Sequence, residues 1–146
     1  MKITAEQKLQ SGQIVNSVGR YLYKHIDTAY RIENHANEVD IYFEIAYELL
    51  PEYRKTADDE EVNVMSININ ITTYQNKIRV NVIEVSPKER TLGYILIPPE
   101  KFKDMNEGMK LVLAKVQNKV AKSFKEYEFY FGWIVIIFDN FLTFGS

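Results

Sequence analysis

Between residues 39 and 97 apolar side chains return at every second position, and that period decides most of what the chain can become. Val39, Ile41, Phe43, Ile45, Tyr47 and Leu49 share one parity, opposite Asp40, Glu44 and Glu48. Met65, Ile67, Ile69 and Ile71 alternate with Ser66, Asn68, Asn70 and Thr72, and Ile78, Val80 and Val82 with Arg79 and Asn81. Successive side chains of an extended strand leave on opposite faces, so each run predicts a strand with one apolar and one polar side. Val39–Leu50 also fits a helix, because Asp40, Glu44 and Glu48 stand four residues apart. Six alternations and the β-branched and aromatic content of its first half favour the strand.

The punctuation agrees with this reading. Pro51 to Glu61 is a polar, acidic connection, and Tyr74-Gln75-Asn76 is a turn in which Asn76 can take positive φ. The alternation slips phase at Ile83, which predicts a bulge. Ser86 to Arg90 returns the chain to Thr91–Ile97, and Pro98-Pro99, unable to donate to a ladder, ends the pairing. An antiparallel four-stranded meander over about 39–97 is expected.

Helical spacing brackets this region. Thr4 and Gln7 fit a capping box, and Ile14, Val18, Tyr21, Leu22, His25, Ala29 and Ile32 recur at three- and four-residue steps. A helix over about 5–33, broken near Ser11-Gly12 and stopped by Asn34 to Asn37, follows. Asp104 and Glu107 open a second helix, about 100–127, whose stripe is Met105, Met109, Val112, Leu113, Val116, Val120, Phe124 and Tyr127. Phe129 to Phe144 is almost wholly aromatic or aliphatic and predicts a buried closing strand. Helix, meander, long helix and strand together imply a single α+β domain over 1–146, a two-layer sandwich with helices on one sheet face.

Charge is sorted along the chain although the total is only −2. Glu38 to Glu61 holds nine acids against Arg54 and Lys55, and Lys101 to Lys125 holds seven lysines against Asp104 and Glu107. Two opposed patches of this kind steer a partner or a second copy. The absence of cysteine removes disulfides and thiolate ligands, and residues 1–8 lack the apolar stretch of a signal peptide, so a cytoplasmic protein is expected. The ten uncharged residues from Phe129 to Phe138 fall short of the ~20 a spanning helix needs, and Asp139 follows them. Isoleucine, lysine and asparagine are heavily used, a bias of AT-rich genomes that suits a phage or mobile element.

Candidate chemistry is sparse. His25 falls on an apolar helix face and reads as a core histidine. His35, in Glu33-Asn34-His35-Ala36-Asn37-Glu38, lacks the second histidine and the ligand count of a zinc site. No serine occupies a nucleophile elbow, and the six dispersed glycines assemble neither a P-loop nor a dinucleotide fingerprint. No metal and no cofactor are expected.

Three surfaces remain. Lys115, Lys119 and Lys122 lie within about a 60° arc beside the apolar stripe of the second helix, either as snorkelling lysines or as an anion-tracking edge. Asn68, Asn70, Arg79 and Asn81 share the polar side of two strands, although asparagine is depleted in strands, which reads as a solvated face or a hydrogen-bonding platform. Glu44, Glu48, Asp58, Asp59, Glu60 and Glu61 form the acidic patch. The leading expectation is a non-enzymatic protein-protein interaction module (adaptor, inhibitor or regulator) with an unidentified protein partner and a homodimer contact through Phe129–Phe144. The alternative is an RNA- or ribosome-binding factor using Lys115, Lys119 and Lys122 with the asparagine face. The third is an enzyme using Glu44, Glu48 and His35.

Overall fold

The structure, a computed structural model, describes residues 11–18 and 31–130. Residues 11–18 form helix α1. The strands are β1 (Arg31–His35), β2 (Glu38–Leu49), β3 (Asn63–Tyr74), β4 (Lys77–Ser86) and β5 (Arg90–Ile97), followed by helix α2 (Met105–Ser123) and strand β6 (Tyr127–Tyr130). All pairings are antiparallel, in the order β1-β2-β3-β4-β5, with β6 added beside β2. β2 is long enough to carry two neighbours on one border: β1 pairs with Glu38–Tyr42 and β6 with Ala46–Leu49. The protein is therefore α+β, and the expected meander over 39–97 is β2 to β5 within a larger sheet.

The parity of each strand sets its inner side. Val39, Ile41, Phe43, Ile45, Met65, Ile67, Ile69, Ile71, Ile78, Val80, Val82 and Ile97 are all buried. Against them α2 lays Met109, Val112, Leu113, Val116 and Val120, and α1 contributes Val15 and Val18. Each such side chain removed from water contributes about 1.5–3 kcal/mol, which is why the alternation dictates register. Asp104 starts α2 by accepting from Asn106 N at 2.9 Å and Glu107 N at 3.3 Å. Two of the helix's orphan amides are thereby satisfied.

Several boundaries differ from the sequence expectation. Arg31–His35 is a strand, not the end of a helix, because Ala36-Asn37, with Asn37 at φ 61°, folds it back onto β2. Gly12 lies in α1, and its bare Cα lets Asn37 approach, since a Cβ there would meet Asn37 Oδ1 at 2.7 Å. Asn16 closes this junction, accepting from Asn37 N at 2.9 Å. Between β3 and β4 the positive φ belongs to Gln75 (56°), not Asn76. Alternation in β4 continues past Ile83, for Glu84 faces inward and is fully buried. A bulge does fall at the expected place, where the β4–β5 register shifts between Val82 and Ile83 and Leu92 has no partner on β4, and a second leaves Val85 without a partner on β3. The long helix begins at Met105 because Pro98-Pro99 supports only a 3-10 turn, Pro99–Phe102. Residues 19–30, with His25, and 131–144 of the expected closing strand lie outside the described residues.

Glu84 occupies a core position opposite Ile67 and is held by Arg90 Nε at 2.5 Å. The Arg90 guanidinium lies 4.7 Å from the centre of the Phe124 ring, so its apolar face is covered while it neutralises the buried carboxylate.

Candidate functional site

The side of the sheet turned away from α2 carries the even-numbered residues of β2 and β3 and the odd-numbered residues of β4 as far as Ile83. Register aligns them in transverse rows. One row runs His35, Glu38, Thr72, Arg79, Leu96, and the next Glu33, Asp40, Asn70, Asn81, Tyr94. No described helix covers this face, and Tyr74, Tyr94 and Val64 on it are 45%, 51% and 54% exposed.

Hydrogen bonds join the rows. Asn70 Nδ2 donates to Glu38 Oε1 at 2.7 Å and to Asp40 Oδ1 at 2.8 Å, and its Oδ1 accepts from Asn81 Nδ2 at 2.9 Å. Asn81 Oδ1 in turn accepts from Arg79 Nε at 2.9 Å. Asn68, buried, donates to Asp40 Oδ1 at 3.3 Å. Both ends of the Asn70 and Asn81 amides are engaged in sequence, so these asparagines hand a fixed donor–acceptor polarity from β2 to β4. Arg79 then lies over the Tyr94 ring, 4.2 Å from its centroid, and 5.4 Å from that of Tyr74. At the other end His35 Nε2 stands 3.5 Å from Asp40 Oδ2 and 3.7 Å from Glu33 Oε2.

Of the expected contact residues, Asn68, Asn70, Arg79 and Asn81 thus form one connected surface. Sequence reasoning missed that Glu38, Asp40, His35 and Tyr94 belong to it. The available signal was the pair of solvent-side tyrosines flanking an arginine. Lys115, Lys119 and Lys122 are elsewhere: Lys119 crosses Gly93 on the helix side of the sheet, where a Cβ would stand 3.2–3.3 Å from Lys119 Nζ, Cδ and Cε. The lysines and asparagines therefore do not make one surface.

The acidic residues also divide. Glu44 is exposed on β2, whereas Glu48 lies 3.5 Å from Arg54 Nη2 and accepts from the Tyr130 hydroxyl. That bond pushes the Tyr130 phenol above its ordinary pKa. Asp59 accepts from Lys55 N at 2.8 Å and Thr56 N at 3.0 Å, which holds its carboxyl below the usual range. Asp58 and Glu60 share its 3-10 turn (Ala57–Glu60), and Glu61 follows. His35 of β1 stands beside Glu38 at the start of β2, and Glu48 is near its other end, about 34 Å along the extended strand, so they share no cleft.

Glu33, His35 and Asp40 are the one trio of ligating groups among the described residues whose donor atoms converge, within 4.8 Å. His35 and Glu33 are 52% and 40% exposed, and Asp40's other oxygen is taken by two asparagine amides. That is a histidine between two carboxylates at the surface. A groove of about 520 Å³ at the β3–β4 turn is lined by Ser11, Asn76, Lys77, Glu100, Phe102 and Lys103 among others, with opposite charges mixed. At the far end of β2, Phe129 packs inward against Tyr47, Phe124 and Tyr127, with centroids 5.8–6.5 Å apart. Of the stretch expected to form a homodimer contact, Phe129 is thus committed to the core, and residues 131–144 lie outside the described residues.

Comparison of the chain with protein-family models, with curated proteins and with solved structures finds no match in any of the three.

Proposed function

We propose that this chain is a small cytoplasmic, non-enzymatic protein-protein interaction module, built as a two-layer α+β sandwich, whose docking surface is the polar side of the sheet. The observation that carries the reading is Arg79, fixed by Asn81 and stacked on Tyr94 and Tyr74 near the β3–β4 turn, on a hydrogen-bonded face that no described helix covers. Only its Nε is engaged among the described residues, leaving both terminal nitrogens for an acceptor. Arginine and tyrosine dominate interface hot spots, and a guanidinium already immobilised loses little further freedom on binding. The apolar end of the face, with Val64 and Tyr130 exposed on either side of Ala46, supplies area that water leaves readily.

The RNA reading fits less well, because the lysines of α2 and the asparagines of β3 and β4 face opposite directions and one strand of nucleic acid would have to wrap the sheet. The test is affinity capture from the source cell with the native chain, Arg79→Ala and Tyr94→Ala, each checked for an unchanged circular-dichroism spectrum. Loss of a hot spot worth about 2 kcal/mol weakens a partner roughly 30-fold, which removes it from the captured set. A protein captured equally by all three chains would overturn the assignment of this face.

A further inference from the structure

We infer that the partner of this face is a second copy of the chain, packed sheet against sheet about a two-fold axis that runs parallel to the strands above β3. This rests on the reading of the polar side of the sheet as a docking surface. Charge is divided across that side by strand. β2 contributes Glu38, Asp40, Glu44 and Glu48 and no base, and β1 adds Glu33, with Arg31 and His35 at the same parity. β4 contributes Lys77 and Arg79, and its acid, Glu84, is turned into the core. β5 places Thr91, Tyr94 and Leu96 on this side, none of them charged.

Between the two halves lies β3, whose residues on this side are Val64, Ser66, Asn68, Asn70, Thr72 and Tyr74, all uncharged. A symmetric contact requires that residue i meet j while j meets i, and that residues on the axis meet themselves. A charge on β3 would oppose its own copy. Uncharged asparagine, serine and threonine carry no such repulsion, which gives this strand a reason for a composition that strand propensity disfavours.

Register makes the contact specific. One step beyond the Val39–Ile71 pair the β2–β3 register brings Glu38 level with Thr72, which pairs with Arg79, so Glu38 and Arg79 lie one strand either side of β3 in the same row. Two strand spacings separate them by about 9–10 Å, too far to pair within one chain. Rotation about β3 sets Glu38 of one copy over Arg79 of the other, twice per dimer. The following row sets Asp40 over Asn81. Within the chain Glu38 uses one oxygen on Asn70 and Arg79 one nitrogen on Asn81, so both keep hydrogen-bonding capacity. The β5 border of the sheet offers a poorer route to association, because it is interrupted by the bulge at Leu92 and by Gly93 at φ 143°.

The experiment is sedimentation across micromolar to millimolar concentration of the full chain, of Glu38→Arg, of Arg79→Glu and of the two variants mixed. The native chain is expected to be a dimer. Each variant sets like charges together and weakens self-association about 100-fold. Their mixture restores a dimer, since the arginine introduced in one chain then meets the glutamate introduced in the other, and the second contact is the native Glu38–Arg79 pair. Recovery on mixing cannot come from misfolded chains. If either reversal fails to fold, Glu38→Gln and Arg79→Gln take its place, each expected to weaken the dimer about tenfold. A native monomer at every concentration, dimers indifferent to the substitutions, or no recovery on mixing folded variants would each overturn the proposal. A monomer that still captures another protein in an Arg79-dependent way sinks self-association and leaves the docking face standing. A monomer that captures nothing through Arg79 sinks both.

Discussion

Replacing Gly108 by alanine sets two opposing effects against each other. Glycine within a helix is about 1 kcal/mol less favourable than alanine, and Gly108 lies in α2, so propensity alone predicts stabilisation. The new Cβ, however, would stand 2.4 Å from Phe102 Cδ1, 2.9 Å from Cε1 and 3.0 Å from Cγ. Carbon atoms in ordinary contact sit about 3.5–4.0 Å apart, so the ring has to retreat by roughly 1 Å. Phe102 is 6% exposed and anchored in the 3-10 turn after Pro98, with little room to do so. Overpacking of this kind costs about 1–3 kcal/mol, which exceeds the propensity gain and leaves the variant destabilised by about 1 kcal/mol. With a urea slope of about 2 kcal/mol per molar, the unfolding midpoint falls by about 0.5 M. In a Phe102→Ala background the obstacle is gone, and the same glycine substitution should raise the midpoint. The sign reversal corresponds to a coupling of about 2 kcal/mol, well beyond the ~0.5 kcal/mol scatter of independent sites. A native-background variant that gains stability, or two substitutions that merely add, would refute the argument that Phe102 fills the space beside Gly108.

Other expectations are simpler. Arg90→Ala strips the buried Glu84 carboxylate of its partner and should cost about 3 kcal/mol, the lower end of the range because Arg90 itself is half exposed; urea denaturation showing a loss below about 1 kcal/mol would mean that the carboxylate is not desolvated. Asp104→Ala should cost about 1 kcal/mol in the same assay by freeing the Asn106 and Glu107 amides. Asp59 has its pKa lowered from 3.8 by the Lys55 and Thr56 amides, so its contribution to stability is present above 3.8 and is lost as pH falls through the lower folded value. A carboxyl titration by NMR with a midpoint at or above 3.8 would show those two bonds to be absent.

How far the fold was legible depends on where burial enforces a period. The runs in β2, β3 and β4 face a packed helix, so nearly every inward residue is apolar and the alternation shows through. β1, Arg-Ile-Glu-Asn-His, has no such alternation, and Ile32 continues the helical spacing that precedes it. Its strand conformation follows from backbone pairing across the Ala36-Asn37 turn, which leaves no hydrophobic trace. Glu84 defeated the pattern in the other sense, as a charge on a core position neutralised by a residue six places on. The candidate site was half legible for a related reason. Parity placed Asn68, Asn70, Arg79 and Asn81 on one side, but only register joins them to Glu38, Asp40 and Tyr94, and register is not written in any single strand.

The split border of β2 has a bearing on how the chain is made. β3, β4 and β5 each fold back on the strand just synthesised, β3 across residues 50–62 and the other two across short turns, and need nothing further along the sequence. The Ala46–Leu49 half of β2 is different, for its neighbour β6 is delivered only after α2 has been completed. While the chain is still emerging from the ribosome, four residues of β2 present unmatched amides and carbonyls on that border, and contacts of such long range form late. Termination before Tyr127 would leave that vacancy permanently open to a foreign strand, so the stretch around β6 acts as the latch that closes the sheet.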